Sequence, residues 1–462
     1  MKPKIFHFKS IVECPQSEVF EWHMRPGALT RLIPDWERIT VTERDPRGLS
    51  NGSTVLLEVP IGPFKRKWLA VHQNVLPPNS FQDIQREGPF SSWVHTHAFE
   101  SKENGAATAV VDTIEYKLPL GILTHPLASK FVERKLERTF RFRHDTLQCD
   151  LRAHQPGAPQ KILLSGASGL IGTQLSAFLS SLGHTPITLV RRAPRNSTEI
   201  QWSPERQELN PSQLHGVQHV IHLSGESIAD GRWTKEKKER IVTSRVHSTH
   251  FLSEVLAGLK SPPKTFVSAS GVGFYGDTGE NVVDEDQPKG SLFLSEVAEQ
   301  WEGATEPAAR AGIRTVHARL GMVVSARGGA LSKMILPFSL GLGGPLGAGK
   351  QYISWISIQD VLLALHHLLF TDSLSGPVNL VSPYPVTNRE FTQTLGKVLG
   401  RPTFLTVPEP VLRLALGQMA RELLLASTRV RPKKLVESNF SFAFPQLSDA
   451  LRHTLGRSEP SR

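Results

Sequence analysis

Cysteine and tyrosine are the scarce residues of this 462-residue chain, with two and four copies respectively. Cys14 and Cys149 can form at most one bridge, and neither stands in a Cys-x-x-Cys or Cys/His pattern. A disulfide framework is therefore excluded, a structural zinc site is argued against, and a reducing, cytoplasmic setting is expected. Long apolar runs are also missing: none reaches the roughly 18 residues a membrane span needs. The first residues, Met1 to Lys9, carry Lys2, Lys4 and Lys9 but no apolar signal core. With 39% apolar and 21% charged residues, the composition is that of an ordinary folded protein. The length suits about two to four domains.

The formal charge of +10 is spread unevenly. Residues 1–150 hold 20 Lys+Arg and 18 Asp+Glu, whereas residues 389–462 hold 12 and 6. The cluster Arg429, Arg431, Lys433 and Lys434 lies in that last stretch. No nucleic-acid motif or interleaved aromatic stripe accompanies it, so it reads as a solvated basic surface and nucleic acid is not an expected partner.

One polar break, His154-Gln-Pro-Gly-Ala-Pro-Gln160, reads as a linker. Before it, Ile5 to Val12, Val55 to Pro60 and Thr108 to Tyr116 look extended, Pro15 to Trp22 looks helical, and a long helix is expected from Pro126 to about Leu147. This is an α+β unit over residues 1–152. Its order resembles the helix-grip superfamily of START-like and polyketide-cyclase-like proteins. The resemblance rests on Phe6-His-Phe8, Pro15-Gln-Ser-Glu-Val-Phe20, Trp93-Val-His-Thr-His-Ala-Phe99 and Asp112-Thr-Ile-Glu-Tyr-Lys-Leu-Pro119. It implies an apolar ligand held between sheet and helix. His95 and His97 share one strand face at the spacing of a metal pair. No third ligand stands near them in the sequence, so they read as surface or cavity histidines and no metal is expected.

After the linker the pattern changes. Ile162, Leu163 and Leu164 form a short apolar run suited to a parallel strand buried on both faces. Gly166, Gly169 and Gly172 follow, and then a helix carrying Leu175, Phe178, Leu179 and Leu182 on one side. Glycines at this spacing let the backbone turn tightly against a pyrophosphate, and the helix start offers it unpaired N–H groups. Ser168, Leu170 and Ile171 lie in the same loop and first helical turn. The next strand, Pro186 to Arg192, ends on Arg191 and Arg192, where NAD sites usually place an acid for the ribose 2′-hydroxyl. A guanidinium there favours a 2′-phosphate through charge-assisted bidentate bonding, so NADP(H) is the expected cofactor. Val217 to Glu226 reads as a strand running into a Ser224-Gly225 turn, and Lys264 to Gly271 as another. In the helix from Trp233 to Leu259, Arg245 is the base expected to face the cofactor while most others are solvated.

These residues, with Asp284-Glu-Asp286, Trp301-Glu302, Arg319-Leu-Gly-Met-Val-Val324, Gly341-Leu-Gly-Gly-Pro-Leu-Gly347 and Trp355-Ile-Ser-Ile-Gln-Asp360, resemble the epimerase-like extended short-chain dehydrogenase/reductases. The likeness continues through Gly376-Pro-Val-Asn-Leu380, Pro432-Lys-Lys-Leu435 and Phe440-Ser-Phe442 into that family's small C-terminal domain of unknown function. It implies an α/β fold with a doubly wound parallel Rossmann sheet over 160–385, a small domain over 386–462, and the helix-grip unit in front. It also implies that Arg191, Arg192, Leu223, Ser224, Arg245 and Val323 contact NADP.

Active members use a Tyr-x-x-x-Lys pair for proton exchange and ribose binding. The four tyrosines are Tyr116, Tyr275, Tyr352 and Tyr384, and the residues four later are Leu120, Gly279, Ile356 and Asn388, so the chain contains no such pair. The matching stretch reads Phe293-Leu-Ser-Glu-Val297, and Gly271 occupies the usual serine slot beside Ser270. Tyr275 reads first as a packed tyrosine and second as a substitute acid; Glu226 and Glu296 are weaker candidates, and no catalytic residue is assigned. Two functions stay open: an NADP-dependent oxidoreductase or epimerase-like enzyme with an unknown small-molecule substrate, or a non-catalytic protein that senses NADP(H) or binds an apolar ligand.

Overall fold

The computed structural model describes residues 3–62, 64–119, 126–154 and 157–457. Gln155 and Pro156 of the expected linker, Lys2 of the N-terminal segment and residues 458–462 of the expected C-terminal domain lie outside the described residues. The chain divides into two compact units, one built on Met1–Gly157 and the other on Ala158–Ser176 and His184–Arg457. Among the described residues no helix is long and apolar enough to cross a membrane.

The first unit is a seven-stranded antiparallel sheet. Its strands are β1 (Lys4–Val12), β2 (Thr40–Arg44), β3 (Thr54–Ile61), β4 (Phe64–Leu76), β5 (Ser80–Glu87), β6 (Ser92–Lys102) and β7 (Ala107–Lys117), in the order β1-β7-β6-β5-β4-β3-β2. Helix α1 (Gln16–Met24) follows β1, and the long helix α2 (Pro126–Arg152) ends the unit. Period-2 burial puts Trp93, His95, His97 and Phe99 of β6 on the covered face, beside Val110, Asp112, Ile114 and Tyr116 of β7. The buried stripe of α2 is Leu136, Phe140, His144, Leu147 and Leu151. Leu136 and Phe140 pack in one apolar cluster with Trp93, Ile114 and Tyr116, while Leu147 and Leu151 join another with Phe20, Phe81, Phe99 and Val110. Each such side chain contributes about 1.5–3 kcal/mol on burial. His144, His95, His97 and Asp112 interrupt the stripes between the two clusters, so the core carries a polar layer.

The second unit contains β8 (Lys161–Ser165), α3 (Leu170–Ser181), β9 (Thr185–Val190), β10 (Glu199–Ser203), β11 (Glu208–Leu209), β12 (His219–His222), α4 (Lys235–Ala257), β13 (Thr265–Gly271), α5 (Phe293–Gly303), β14 (Arg314–Leu320) and β15 (Gly376–Leu380). The sheet order is β11-β10-β9-β8-β12-β13-β14-β15, parallel except for the β10–β11 edge. This is a doubly wound Rossmann sheet, and its direction of winding reverses between β8 and β12. Ligands of such sheets bind at that reversal, beyond the carboxyl ends of the strands. Residues 386–457 lie within this second unit. They return strand Arg429–Val430 to pair with Val282–Val283, and Val386–Thr387 pairs with Tyr352–Ile353.

The basic cluster near the C-terminus is engaged with its neighbours. Arg429 stacks over Tyr352 with its guanidinium carbon 4.4 Å from the ring centre. Lys433 pairs with Asp286, and Lys434 donates to the Ser375 carbonyl at 3.0 Å.

Candidate functional site

At the end of β8 the chain needs Gly166 and Gly172 for local reasons. Gly166 has φ +70°, in the left-handed region, and a Cβ on it would lie 2.8 Å from the carbonyl carbon and oxygen of Leu223. The Gly169 N–H donates to the Gly166 carbonyl at 3.0 Å. A Cβ on Gly172 would fall 2.2 Å from that same carbonyl oxygen. The loop therefore folds onto the end of β12, with Ser168 and Gly169 exposed and Leu170 and Ile171 opening α3.

The other wall of the reversal point is locked from beneath. Leu223 donates its N–H to the Ser165 carbonyl at 3.2 Å, and His222 meets the Ser165 hydroxyl through Nδ1. Burial pushes the His222 imidazole down to about 3, so it is neutral at physiological pH. Beyond Leu223, Ser224 and Gly225 lead to Glu226, whose N–H donates to Ser244 Oγ on α4 at 2.9 Å. Gly225 is where Arg245 comes close: a Cβ there would stand 3.1 Å from the guanidinium carbon. Arg245 also donates to the Ile241 carbonyl at 3.2 Å and lies 4.9 Å over the Trp301 ring. Burial lowers its pKa to about 10 against the attraction of Glu226, which leaves it cationic at neutral pH. Arg245 is thus half-buried beside Gly225. Lys237, which sequence reading left among the solvated bases, is also buried and holds Glu226 at 2.7 Å.

Val323 lies on a short strand, Met322–Val324, paired in parallel with Trp355–Ser357. Gly329, at φ +72°, brings it to the glycine loop: a Cβ there would sit 3.5 Å from Leu170 Cδ2 and 3.8 Å from the Val323 carbonyl oxygen.

Arg191 and Arg192 stand just past the end of β9 and both are exposed, but they are not equivalent. Arg192 forks onto Glu199 with bonds of 2.7 and 2.6 Å, and that hydrogen bonding pulls the Glu199 carboxyl down to about 2. Arg191 reaches Glu205 at 3.4 Å with its side chain 60% exposed. It lines a recess with Trp202, Ser203, Glu205 and Arg206. Arg206 is a further base in that recess, and sequence reading missed it because it belongs to the turn after β10.

Of the residues considered for proton transfer, Glu226 belongs to this arrangement and is held by Lys237, whereas Tyr275 and Glu296 are engaged elsewhere. Tyr275 is 4% exposed, donates to Asn379 Oδ1 at 2.8 Å and accepts from Arg319 at 2.9 Å. Burial pushes its phenol up to about 12, partly offset by Arg319. Ser270 is also buried and donates to Glu302, which Arg319 grips with two bonds. Phe293 and Val297, on α5, pack in an apolar cluster with Trp233, Ile241 and Met419. Glu296 pairs with Lys289 at 2.8 Å. At the start of α5 the buried carboxylate of Glu422 accepts from the N–H groups of Phe293 at 3.3 Å and Leu294 at 3.0 Å. Glu422 lies in the stretch from Pro408 to Ala426, which forms a helix over Glu409–Leu416 and a π-helical turn over Ala420–Leu425.

Comparison with known proteins gives three matches to family models. Residues 162–390 match the NAD dependent epimerase/dehydratase family, residues 12–143 match polyketide cyclase / dehydrase and lipid transport proteins, and residues 407–454 match a domain of unknown function, DUF1731. An epimerase family protein of Mycobacterium bovis is 43% identical over 296 residues, 64% of this chain and 98% of that protein. The nucleoside-diphosphate sugar epimerase of Corynebacterium glutamicum is similar in structure with a TM-score of 0.79 at 30% identity, covering 98% of this chain and 90% of that one. The human epimerase family protein SDR39U1, solved with NADPH, has a TM-score of 0.60 at 32% identity, covering 64% of this chain and 99% of its own.

Proposed function

Because the chain belongs to the epimerase family of NAD-dependent epimerases and dehydratases, we propose that its second unit binds NADP(H) across the β8–β12 reversal. In this reading Gly166 to Gly172 and the start of α3 hold the pyrophosphate. Leu223, Ser224 and Gly225 follow the cofactor towards its nicotinamide end, with Arg245 behind them and Val323 opposite. Arg191 meets the 2′-phosphate, and Arg192 contributes by keeping Glu199 neutralised. The observation that carries this is the contact of Gly166 with Leu223: a left-handed glycine is pressed against the neighbouring strand end, at the start of a helix, where phosphates bind in such sheets. The NADPH in the human relative supports the choice of phosphate-bearing cofactor.

The bound cofactor supplies or accepts hydride. The substrate class is a small molecule, acted on by oxidoreduction or epimerisation. A second, non-catalytic reading, in which the protein senses NADP(H), is favoured by one observation. Tyr275 is closed off by Asn379 and Arg319, while Phe293 and Val297 present no titratable group. Thermal-shift measurements with NADPH, NADH and no cofactor test the binding claim: a larger shift with NADPH supports it, and no shift with either overturns it. Incubating bound NADPH with a metabolite panel separates the two readings, since it is oxidised under the first and persists under the second.

A further inference from the structure

The polar layer in the core of the first unit is built across neighbouring strands. Asp83 of β5 pairs in register with His95 of β6 and His72 of β4, and His97 of β6 pairs with Asp112 of β7. His144 comes down from α2. Asp83, His95 and His97 each offer one donor atom within 4.8 Å of the other two. A buried cluster of this kind is costly unless every group is satisfied, and nothing in the proposed cofactor site uses it.

We propose that Asp83, His95 and His97 bind a divalent first-row transition metal of the zinc class. The spacing is already close to what such an ion needs. Zinc–ligand distances near 2.0–2.1 Å put tetrahedral ligand atoms about 3.3 Å apart. His97 Nε2 stands 3.4 Å from Asp83 Oδ2. The surrounding shell is the stronger argument. Asp112 Oδ1 takes His95 Nε2 at 2.7 Å and His97 Nδ1 at 2.8 Å, which leaves the other nitrogen of each ring for a cation. Asp112 Oδ2 is in turn held by His144 Nε2 at 2.7 Å, and Ser10 meets the far nitrogen of His144. The second oxygen of Asp83 is held by His72. Every would-be ligand is thus oriented by a partner behind it, the carboxylate–histidine arrangement that fixes metal ligands. Two imidazoles with one carboxylate suit zinc, manganese or iron(II) over magnesium or calcium. Asp83 and His72 keep side-chain exposures of 25% and 14%, which gives an ion a way in. Three protein ligands leave a coordination position for water.

The test uses the full chain stripped of metal with a chelator, then titrated with Zn(II) against a chromophoric competitor, with Mg(II) as the control. The proposal expects one Zn(II) bound per chain. H95Q, H97Q and D83N should weaken it at least 100-fold, D112N about 10–100-fold, and C14S should leave it unchanged. Zn(II) uptake equal in the wild type and H97Q, or none in either, overturns it. Should H97Q fail to fold, the wild-type Co(II) complex decides. Ligand-field bands without a thiolate charge-transfer band support the assignment, and a thiolate band overturns it by placing the ion on cysteine.

Discussion

Tyr275 and Asn379 share a hydrogen bond of 2.8 Å inside the second unit, and Arg319 closes the other side of the phenol at 2.9 Å. A tyrosine so enclosed serves packing and hydrogen bonding. Tyr275→Phe is expected to cost about 1–3 kcal/mol, because Arg319 and Asn379 lose a buried partner. NADPH affinity should stay within twofold. Chemical denaturation and cofactor titration of the same variant check both parts; a variant of wild-type stability, or one that no longer binds NADPH, contradicts this placement.

Gly166→Ala should be far more damaging to binding. The substitution forces a side chain into a left-handed backbone and against Leu223. About 1–3 kcal/mol of strain is expected, together with loss of the NADPH-induced rise in Tm. A thermal-shift series on the variant reads both.

Much of this site was legible in the sequence because its signals are local. The apolar run Ile162–Leu164 and the three glycines lie within twelve consecutive residues, Lys161 to Gly172, the helix opens inside them at Leu170, and β9 ends one strand later. What was not legible depends on strand pairing or on residues far along the chain. Glu199 occupies the fork of Arg192 only because β9 and β10 are neighbours. Asp83 and Asp112 reach His95 and His97 only through the register of β5, β6 and β7. Glu422 caps α5 from more than a hundred residues away, a contact that no local pattern encodes.

His222 makes the second unit sensitive to acid. Its imidazole is held near 3 by burial, whereas an unfolded histidine titrates near 6.5. The unfolded chain therefore takes up a proton first as pH falls. The stability this group contributes is full above about pH 6.5 and is lost towards pH 3, at up to about 1.4 kcal/mol per pH unit. Urea denaturation across that range should show a shallower slope for His222→Asn than for the wild type. Equal slopes would remove His222 as a source.

Arg31 and Asp150 form an ion pair in the first unit at 2.7 and 2.9 Å, with side-chain exposures of 5% and 0%. Arg31→Met leaves a buried carboxylate without its main partner and should cost about 3–5 kcal/mol. Calorimetry of the full chain is expected to show the lowered transition, while NADPH titration is unchanged.

The central claim is that a phosphate-bearing cofactor lies at the β8–β12 reversal with Arg191 at its 2′-phosphate. Equilibrium titration of wild type and Arg191→Ala with NADPH and NADH tests it most directly. Loss of a charge-assisted bond of about 1.5–3 kcal/mol predicts a roughly 10–100-fold weaker NADPH complex. NADH binding should change less than threefold. Equal losses for the two cofactors would contradict the account.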